Sequence, residues 1–503
     1  MPYRAPVRRL LCALSLVASV APATRAQGQT LPAPLLKRLN GWYHSASRSA
    51  RGTWGIAIAN QQGEILWSVR PDQAMIPAST VKLLTTGFAR SVLGADARRS
   101  TRVVGTGHLD DQTGEWLGRW SLEVNGDPTL GNPSGVGPRL EDLANQLHVA
   151  GVHRLRGPIE ITSANGPADA TYPASWSPGN RGSIYAPMIG PITLHENIIW
   201  LHIHPGAKIG SRAVLVETSP QGLDALVNIH ASTVGGPWSR LRVQRMADGG
   251  YLVSGRIGIR AGTHRLVSVA GDPKAVMAAA WARALQGAGL QWDRRPRADS
   301  TAGDTAQVLA EVTSAPFDSL ATEINRRSLN IGAELLLQWA GGRVRAPELL
   351  TEHVEQVAGV SGGVHLVDGS GMSHEDRITP ATFTSYMANF PGTPAGRNFP
   401  LLFPANGIGT LSRLAGGLLE PGVVHAKTGT LNGVSTLVGY LGRKDGVLLI
   451  SAMYNGGRSR TAKRHQWTLF RLLGADGVSI PADSVEDLEG TPELGGDSTE
   501  TRN

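Results

Sequence analysis

The stretch MIPASTVKLLTTG at residues 75–87 predicts the start of a buried helix that carries a reactive pair. Pro77 stands where a helix can begin, and the residues after it are largely apolar. Ser79 and Lys82 are three residues apart, so their side chains are neighbours on one helix face. A lysine whose pKa is lowered by burial or by the positive end of a helix can remove the serine proton. The first helical turn also offers backbone N–H groups that can stabilise an oxyanion.

Taken alone, a serine three residues before a lysine is a weak signal, because a solvated helix face produces it equally well. The chain has seven lysines beside 41 arginines, and only Lys82 has a serine three residues before it. Arginine cannot give up its proton under ordinary conditions, whereas a buried lysine can. A lysine at this position therefore fits the role of a base.

A second segment, Lys427-Thr428-Gly429-Thr430, ends a strand-like run that begins near Val423. A strand edge can bind an extended peptide as an added strand, and the lysine can bind the carboxylate of that peptide by charge. The absent side chain of Gly429 is expected to leave room for the ligand. Considered by itself, the segment is explained equally well by a strand that ends in a glycine turn.

The third segment, Ser328-Leu329-Asn330, lies between two predicted helices at residues 317–325 and 331–340. The same Ser-x-Asn pattern occurs at Ser163-Ala164-Asn165, so the pattern alone does not choose a site. The earlier copy lies among short strands, where a turn explains it. The later copy lies where the chain returns to its first domain, and it is the copy that we favour.

Strand-like runs near both ends of the chain predict one antiparallel sheet. Two runs lie near the start and three near the end, and each group has a helix beside it. The predicted strands are residues 52–60, 64–69, 423–430, 434–441 and 447–454, and the helices are residues 35–46 and 459–473. The rest of the chain must then be inserted into this domain or packed on it.

The middle of the chain, residues 101–297, has short alternating runs that are separated by glycine and proline clusters. The runs are residues 101–107, 119–124, 157–161, 198–204, 213–217, 241–245 and 251–259. This pattern predicts one or two β-rich accessory domains.

The chain begins with Arg4, Arg8 and Arg9, followed by an apolar run and by small residues up to Ala26. This order predicts a secretory signal peptide at residues 1–26. An uncleaved anchor is the alternative, but the apolar run is shorter than the roughly twenty residues that a spanning helix needs. We therefore expect secretion across the inner membrane into the periplasm.

The only cysteine, Cys12, lies in this segment, so the mature chain is expected to lack disulfides and thiol chemistry. No later segment is apolar for long enough to cross a membrane. We expect a mature protein that is soluble or only peripherally attached to a membrane.

Residues 482–503 hold seven acidic residues against one arginine, which predicts a disordered acidic tail without catalytic residues. Without this tail and the signal peptide, 43 basic and 33 acidic residues remain. The positive excess favours an anionic cell-wall polymer by long-range attraction. A general preference for arginine explains it equally well, and the export signal argues against nucleic acid as a partner.

Ser-x-x-Lys, Ser-x-Asn and Lys-Thr-Gly, in this order, resemble the signature of penicillin-recognising serine enzymes. The surrounding sequence resembles the D-alanyl-D-alanine carboxypeptidase/endopeptidase family, the low-molecular-mass class C penicillin-binding proteins of the penicillin-binding protein 4 type. The segments that carry this resemblance are NGDPTL at 125–130, NRRSLN at 325–330 with Ala333-Glu334, DGSGMS at 368–373 with Thr379-Pro380, GTL at 409–411 and AKTGTLNGVSTLVGY at 426–440. The resemblance covers roughly residues 31–473.

The resemblance implies an α/β (α+β) penicillin-binding transpeptidase-like domain, with a five-stranded antiparallel sheet flanked by helices and two inserted β-rich domains. The 249 positions between Ser79 and Ser328 match such insertions. The expected division is a catalytic domain at 27–100 and 305–481, inserted domain II at 101–160 and 265–304, and inserted domain III at 161–264.

The same resemblance implies an acyl-enzyme reaction on peptidoglycan stem peptides. Ser79 would attack the carbonyl of the penultimate D-alanine, Lys82 would act as its base, and Ser328 would pass the proton to the leaving amine. β-Lactam antibiotics would acylate the same serine as covalent inhibitors. No cofactor and no metal ion are implied.

The implied substrate-binding residues are those of the other two motifs. Asn330 would hold the substrate amide and help to position the base. Lys427, with Thr428 and Thr430 beside Gly429, would receive the terminal carboxylate. The backbone N–H groups of Ser79 and Thr430 would form the oxyanion hole.

One departure and three alternatives remain. Relatives often carry an acidic residue where this chain reads ITSANG at 161–166, so a preference for a free amine in the substrate is not assigned. A β-lactamase or esterase on the same scaffold, and a non-catalytic peptidoglycan-binding protein, are the alternative functions. A metal enzyme is poorly supported, because His195, His202 and His204 lie in a strand-rich region and no His-Glu-x-x-His occurs.

Overall fold

The computed structural model describes residues 30–132, 137–164, 166–295, 305–412 and 419–482. The predicted signal peptide, Asn165 and all but the first residue of the predicted acidic tail lie outside these residues. Within them, no helix is both long enough and apolar enough to cross a membrane.

The described residues form helices and strands in the following order. The helices are α1 (Ala33–Ser49), α2 (Val81–Leu93), α3 (Leu140–Val149), α4 (Pro273–Gly287), α5 (Phe317–Arg327), α6 (Asn330–Gly341), α7 (Ala346–Ala358), α8 (Pro380–Asn389) and α9 (Ser459–Leu473). The strands are β1 (Thr53–Ala59), β2 (Ile65–Val69), β3 (Ser100–Asp110), β4 (Glu115–Glu123), β5 (Arg154–Arg156), β6 (Ile161–Thr162), β7 (Ile198–His204), β8 (Val214–Ser219), β9 (Val227–Ile229), β10 (Ser232–Val234), β11 (Ser239–Arg245), β12 (Tyr251–Gly258), β13 (His264–Val269), β14 (Gln291–Asp293), β15 (Ala306–Thr313), β16 (Val424–Leu431), β17 (Val434–Arg443) and β18 (Gly446–Asn455).

The two ends of the chain form one sheet, as the sequence predicts. Its strand order is β16-β17-β18-β1-β2, and every neighbouring pair is antiparallel. Trp54 of β1 lies opposite Tyr454 of β18, so the two ends are joined at the centre of the sheet. The predicted five-stranded antiparallel sheet is therefore confirmed.

Helices cover both faces of this sheet. The buried residues of α1 are Leu35, Leu39, Trp42 and Ala46, whose spacing of three or four residues gives one apolar stripe. This stripe packs with α9 on one face of the sheet. The other face is covered by α2, α7 and α8, which form a second cluster of buried apolar side chains.

The remaining strands lie in three further sheets within residues 100–313. One has the order β14-β5-β4-β3-β15 with β6 beside β4, the second is β13-β7-β8, and the third is β10-β12-β11 with β9 beside β12. The short strands of this region give it the predicted β-rich character. Its division into domains stays a prediction.

Three details differ from what the sequence predicts. No strand spans 157–161, because Gly157 has a φ of 101° and Pro158 lacks an N–H donor, so the chain leaves the sheet between β5 and β6. No strand is predicted at residues 306–313, where β15 pairs with β3. No strand is predicted at residues 264–269, where β13 pairs with β7. Alternating patterns indicate a strand without indicating its partner.

The β-rich region packs directly on the catalytic domain beside α6. Trp176 and Ile189 are buried against Ile331 and Leu335 of that helix, together with Met372. This apolar contact places a segment of the insertion next to Asn330, the first residue of α6.

Candidate active site

Ser79 lies in a single 3₁₀ turn, Ala78–Thr80, directly before α2. Ala78 has a φ of 51°, which is uncommon for a residue other than glycine. The turn is tied to the sheet because the hydroxyls of Thr80 and Thr436 both donate to the carbonyl of Pro77, at 2.7 and 2.6 Å. The sheet thus fixes the half-buried serine at the edge of the cleft.

Two glycines allow this turn to sit so close to its neighbours. A Cβ on Gly371, which has a φ of 74°, would strike the carbonyl of Ala78 and lie 2.9 Å from the nitrogen of Ser79. A Cβ on Gly429 would strike Thr436 and lie 2.6 Å from the carbonyl oxygen of Pro77. The expectation that Gly429 leaves room for the ligand is therefore wrong, because that space is filled by the turn that carries Ser79.

Lys82 is 1% exposed and has three hydrogen-bond partners. Its Nζ lies 2.7 Å from Asn330 Oδ1, 2.6 Å from the carbonyl oxygen of Ser370 and 3.1 Å from Ser79 Oγ. The first two partners can only accept. They therefore take two hydrogens of the amine and leave its third position directed at the serine hydroxyl.

The orientation of Asn330 follows from its second partner. Its Nδ2 donates to the carbonyl oxygen of Tyr185 at 2.8 Å. A carbonyl cannot donate, so the amide nitrogen must face Tyr185 and the amide oxygen must face Lys82. Tyr185 belongs to the β-rich insertion, which therefore contributes to the catalytic geometry. Sequence reasoning missed this contact because a backbone carbonyl has no sequence signature.

Burial is the main reason that the pKa of Lys82 is lowered to about 7. Three buried carboxyl groups, Asp368, Glu334 and Asp376, act in the opposite direction and keep the ammonium form accessible. The environment thus allows the lysine to exchange a proton near neutral pH, which a base for serine requires.

Two of these acids also hold the loop that carries the Ser370 carbonyl. Asp368 accepts hydrogen bonds from the backbone nitrogens of Ser370, Gly371 and Ser373, at 3.2, 2.6 and 2.7 Å. Glu334 accepts from the nitrogen of Ser370 at 2.8 Å, and burial raises its pKa to about 8. The sequence signal for this loop was the DGSGMS segment, which carried the family resemblance but no assigned role.

Ser328 has a φ of 58° and ends α5 in the left-handed conformation. Its Oγ accepts a hydrogen bond of 2.9 Å from Nζ of Lys427, which also donates to the carbonyl oxygen of Thr428 at 2.8 Å. Burial, followed by the charges of Lys82 and Lys463, holds the pKa of Lys427 well below its usual range. Ser328 and Lys427 therefore form a second hydroxyl–amine pair.

The two pairs meet at a cavity of about 620 Å³. Its described lining residues are Ser79, Ser328, Gly409, Thr410, Ser412, Thr428, Thr430, Arg460, Lys463, Arg464 and Trp467. Lys82, Asn330 and Lys427 lie behind this surface and reach it through hydrogen bonds to the two serines or to each other. The structure thus brings the three motifs together, while their individual roles stay predictions.

The earlier Ser-x-Asn copy lies elsewhere. Ser163 Oγ donates to Asn125 Oδ1 at 3.4 Å, and the nitrogen of Ala164 donates to the same oxygen at 3.2 Å. These bonds fix the end of β6 on the insertion, away from the lining of the cavity.

A further residue near Ser328 was missed by sequence reasoning. Arg327, which directly precedes it, forms a two-pronged ion pair with Glu196, at 2.5 and 3.0 Å. Glu196 is 4% exposed and has a φ of 58° between two other left-handed residues, His195 and Asn197.

No cluster of three or more potential metal ligands is found in the described part of the chain.

Comparisons with known proteins show the family of this chain. The family model described as the D-Ala-D-Ala carboxypeptidase 3 (S13) family matches residues 44–471. The D-alanyl-D-alanine carboxypeptidase of Actinomadura sp. (strain R39) is 26% identical over 433 residues, which cover 80% of this chain and 77% of that protein. The penicillin-sensitive carboxypeptidase A of Dictyostelium discoideum is 23% identical, over 80% of this chain and 82% of that protein.

The fold is also similar to a solved structure. Penicillin binding protein 4 from Haemophilus influenzae matches with a TM-score of 0.65 and 19% identity, over 85% of this chain and 99% of that chain. A second structure of that protein, in complex with a β-lactam, matches with a TM-score of 0.64. The predicted α/β penicillin-binding architecture is therefore confirmed.

Proposed function

The chain belongs to the D-Ala-D-Ala carboxypeptidase 3 (S13) family and is a peptidase of peptidoglycan, and we propose that it acts through an acyl-enzyme formed on Ser79. In this proposal it removes terminal D-alanine from stem peptides and cleaves cross-links that end in a D-alanyl amide. Penicillin and other β-lactams acylate the same serine.

One observation carries the proposal, namely the orientation of the Lys82 amine. Asn330 Oδ1 and the Ser370 carbonyl, at 2.7 and 2.6 Å, take two of its hydrogens. In the neutral amine the lone pair is then directed at Ser79 Oγ, 3.1 Å away. With a pKa of about 7, a large fraction of the amine is neutral at neutral pH.

The first half of the reaction forms the ester. Ser79 Oγ bonds to the carbonyl carbon of the penultimate D-alanine while its proton passes to Lys82. Backbone N–H groups of Ser79 and Thr430, both at the cavity, are proposed to stabilise the oxyanion. The bond between carbon and nitrogen then breaks, and the leaving amine takes a proton.

Ser328 is proposed to deliver that proton. Its hydroxyl lies on the cavity and is held by Lys427 at 2.9 Å, so it can pass one proton to the amine and receive another from Lys427. Water then attacks the ester with the same groups acting in reverse, and Ser79 is released.

The carboxylate of the leaving D-alanine is proposed to bind at Lys427, Thr428 and Thr430. The buried Lys427 has a strongly lowered pKa in the free protein. A carboxylate nearby would favour the ammonium form and raise this pKa again. Substrate binding would thus protonate Lys427, and the resulting ammonium group would bind the substrate carboxylate.

The proposed location is the periplasm, where peptidoglycan stem peptides are found. The sequence order at residues 1–26 supports this proposal. β-Lactams are proposed partners because one relative is named penicillin-sensitive and a similar structure contains a β-lactam.

Mass spectrometry of the purified protein with and without penicillin tests the proposal. We expect one penicilloyl adduct per chain, mapped to Ser79 and absent in Ser79→Ala. Ser91→Ala is the matched control, because Ser91 lies on the same helix but is exposed and donates to the carbonyl of Gly87.

Two other outcomes would replace the proposal. Rapid penicillin hydrolysis without a lasting adduct would favour a β-lactamase on this scaffold. Neither an adduct nor hydrolysis of penicillin or of stem peptides would favour a non-catalytic peptidoglycan-binding protein.

A further inference from the structure

One face of α9 lines the active-site cavity with cations. Arg460, Lys463, Arg464 and Trp467 are spaced three and four residues apart, so they lie on one side of the helix. All four line the same 620 Å³ cavity as Ser79. The nucleophile and three positive side chains therefore face one volume.

The buried face of α9 fixes the helix beside the substrate-binding strand. Gln466 is buried, and its Nε2 donates to the carbonyl oxygens of Ser435 and Ala452, at 2.8 and 2.9 Å. Its Oε1 accepts from Ser435 Oγ at 2.6 Å. Ser435 lies directly opposite Thr430 in the pairing of β16 with β17. The basic face is thus held in a defined position relative to Thr430.

The positive charge of this face extends into the catalytic centre. The charge of Lys463, whose Nζ lies 5.6 Å from the Trp467 ring centroid, is one cause of the lowered pKa of Lys427. Arg460 and Arg464 are exposed to solvent. No acidic residue is among the described residues that line the cavity, which will therefore attract anions.

A single D-alanine cannot bind all of the cations on this face of α9. It carries one carboxylate, which the proposed function assigns to Lys427 and its neighbouring threonines. Arg460, Lys463 and Arg464 line the same cavity, and pockets of roughly 300–1,000 Å³ hold drug-sized ligands, which are much larger than one D-alanine. The cavity of 620 Å³ therefore has room for a larger leaving group.

We propose that the α9 face binds the leaving peptide of a cross-link and selects leaving peptides that carry two or more carboxylates. The inference rests on the proposed acyl-enzyme at Ser79 and deepens it, because it makes polyanionic cross-linked peptides the preferred substrates. The chemistry is unchanged: the ester to Ser79 forms, the amide bond to the leaving peptide breaks, and the leaving amine takes the proton. The additional carboxylates bind Arg460, Lys463 and Arg464 until the peptide departs.

Two synthetic cross-linked peptides test this inference. Both keep the scissile D-alanyl amide and the carboxylate beside it. In one, the leaving peptide has two more carboxylates, and in the other these are carboxamides. Penicillin titration of Ser79 gives the number of active sites, so kcat/KM can be compared between preparations.

We expect the intact protein to prefer the carboxylate form roughly three- to tenfold, as one or two exposed charge pairs would give. The double variant Arg460→Gln/Arg464→Gln should lose most of this ratio, and added salt should reduce it in the intact protein. Arg458→Gln is the matched control, because Arg458 is exposed at the start of α9 but does not line the cavity.

Equal kcat/KM for the two peptides, or an unchanged ratio in the double variant, would overturn the inference while the acyl-enzyme stands. Failure of penicillin to label Ser79, together with failure to cleave either peptide, would overturn the proposed function and this inference with it.

Discussion

Arg327 donates two hydrogen bonds, of 2.5 and 3.0 Å, to the carboxylate of Glu196, and it directly precedes Ser328. The carboxylate is on the β-rich insertion and the guanidinium is at the end of α5. The insertion therefore holds the loop that carries Ser328 as well as the amide of Asn330. It is part of the active-site framework and not only an appendage.

Glu196→Gln should slow acylation. The neutral amide cannot reproduce the charged pair, so Arg327 and the adjoining Ser328 lose a fixed position. We expect the rate of penicillin acylation to fall roughly tenfold and the free energy of unfolding to fall by about 1–3 kcal/mol. Stopped-flow acylation and urea unfolding measure the two effects. Glu217→Gln is the control, because Glu217 forms a more exposed pair with His202 on the same insertion. An acylation rate equal to that of the control would contradict the positioning role.

The acylation rate should rise with pH through the pKa of Lys82, which is about 7. Only the neutral amine can accept the serine proton, so the active fraction grows as the pH increases and then levels off. Rates with a fluorescent penicillin between pH 5 and pH 9 measure this profile. Lys82→Arg should abolish the rise and lower the rate by roughly 10²–10⁴, because arginine stays protonated. A pH-independent rate would remove Lys82 from the role of base.

Asn330→Asp should move this profile to higher pH. The new carboxylate would stabilise the ammonium form of Lys82 at 2.7 Å, which raises the lysine pKa by about 1–3 units. At neutral pH the variant should be slow, and it should recover part of its rate at pH 9. Asn330→Ala is the comparison, because it removes both hydrogen bonds of the Asn330 side chain without adding charge. An identical midpoint in both variants would exclude the electrostatic explanation.

Gly371→Ala should disable the nucleophile. The added methyl would strike the carbonyl of Ala78 and crowd the nitrogen of Ser79. The residue would also be strained at a φ of 74°. We expect a loss of stability of about 1–3 kcal/mol and an acylation rate at least roughly tenfold lower. Gly287→Ala on α4 is the control, because a Cβ there meets nothing within 4 Å. It should be neutral or stabilise the protein by about 0.5–1 kcal/mol. Normal acylation by Gly371→Ala would show that the turn can shift without loss.

Sequence patterns were sufficient to predict the central sheet and to find the motif residues. The helix at Ser459–Leu473 and the strand at Ile198–His204 coincide with their predicted bounds, because apolar periodicity and flanking turn residues marked both. Ser79 and Lys82 were predictable from their spacing together with the other two motifs, although Ser79 lies in the 3₁₀ turn directly before α2. Serine, lysine and asparagine side chains leave a signature that can be read along the chain.

Most of the contacts that sequence reasoning missed are made by backbone groups. The carbonyls of Tyr185 and Ser370 orient Asn330 and Lys82, but any residue type supplies a carbonyl. Gly429 was correctly singled out but given the wrong reason. The space that a side chain at this position would need is occupied by the carbonyl of Pro77, which is far away in the sequence. The pairing of β15 with β3 was equally hidden, since an alternating strand does not indicate its partner.

The central sheet also determines when this enzyme can become active. The backbone nitrogen of Ile76 is held by the side chain of Asn455, 379 positions away, and β1 has β18 as a neighbour. The segment that carries the nucleophile therefore has no complete template until nearly the whole polypeptide has been made. Contacts so distant in sequence cannot form before both segments have been synthesised, and they slow folding. Nascent or truncated chains would thus be inert, and hydrolysis of the cell wall would begin only with finished molecules.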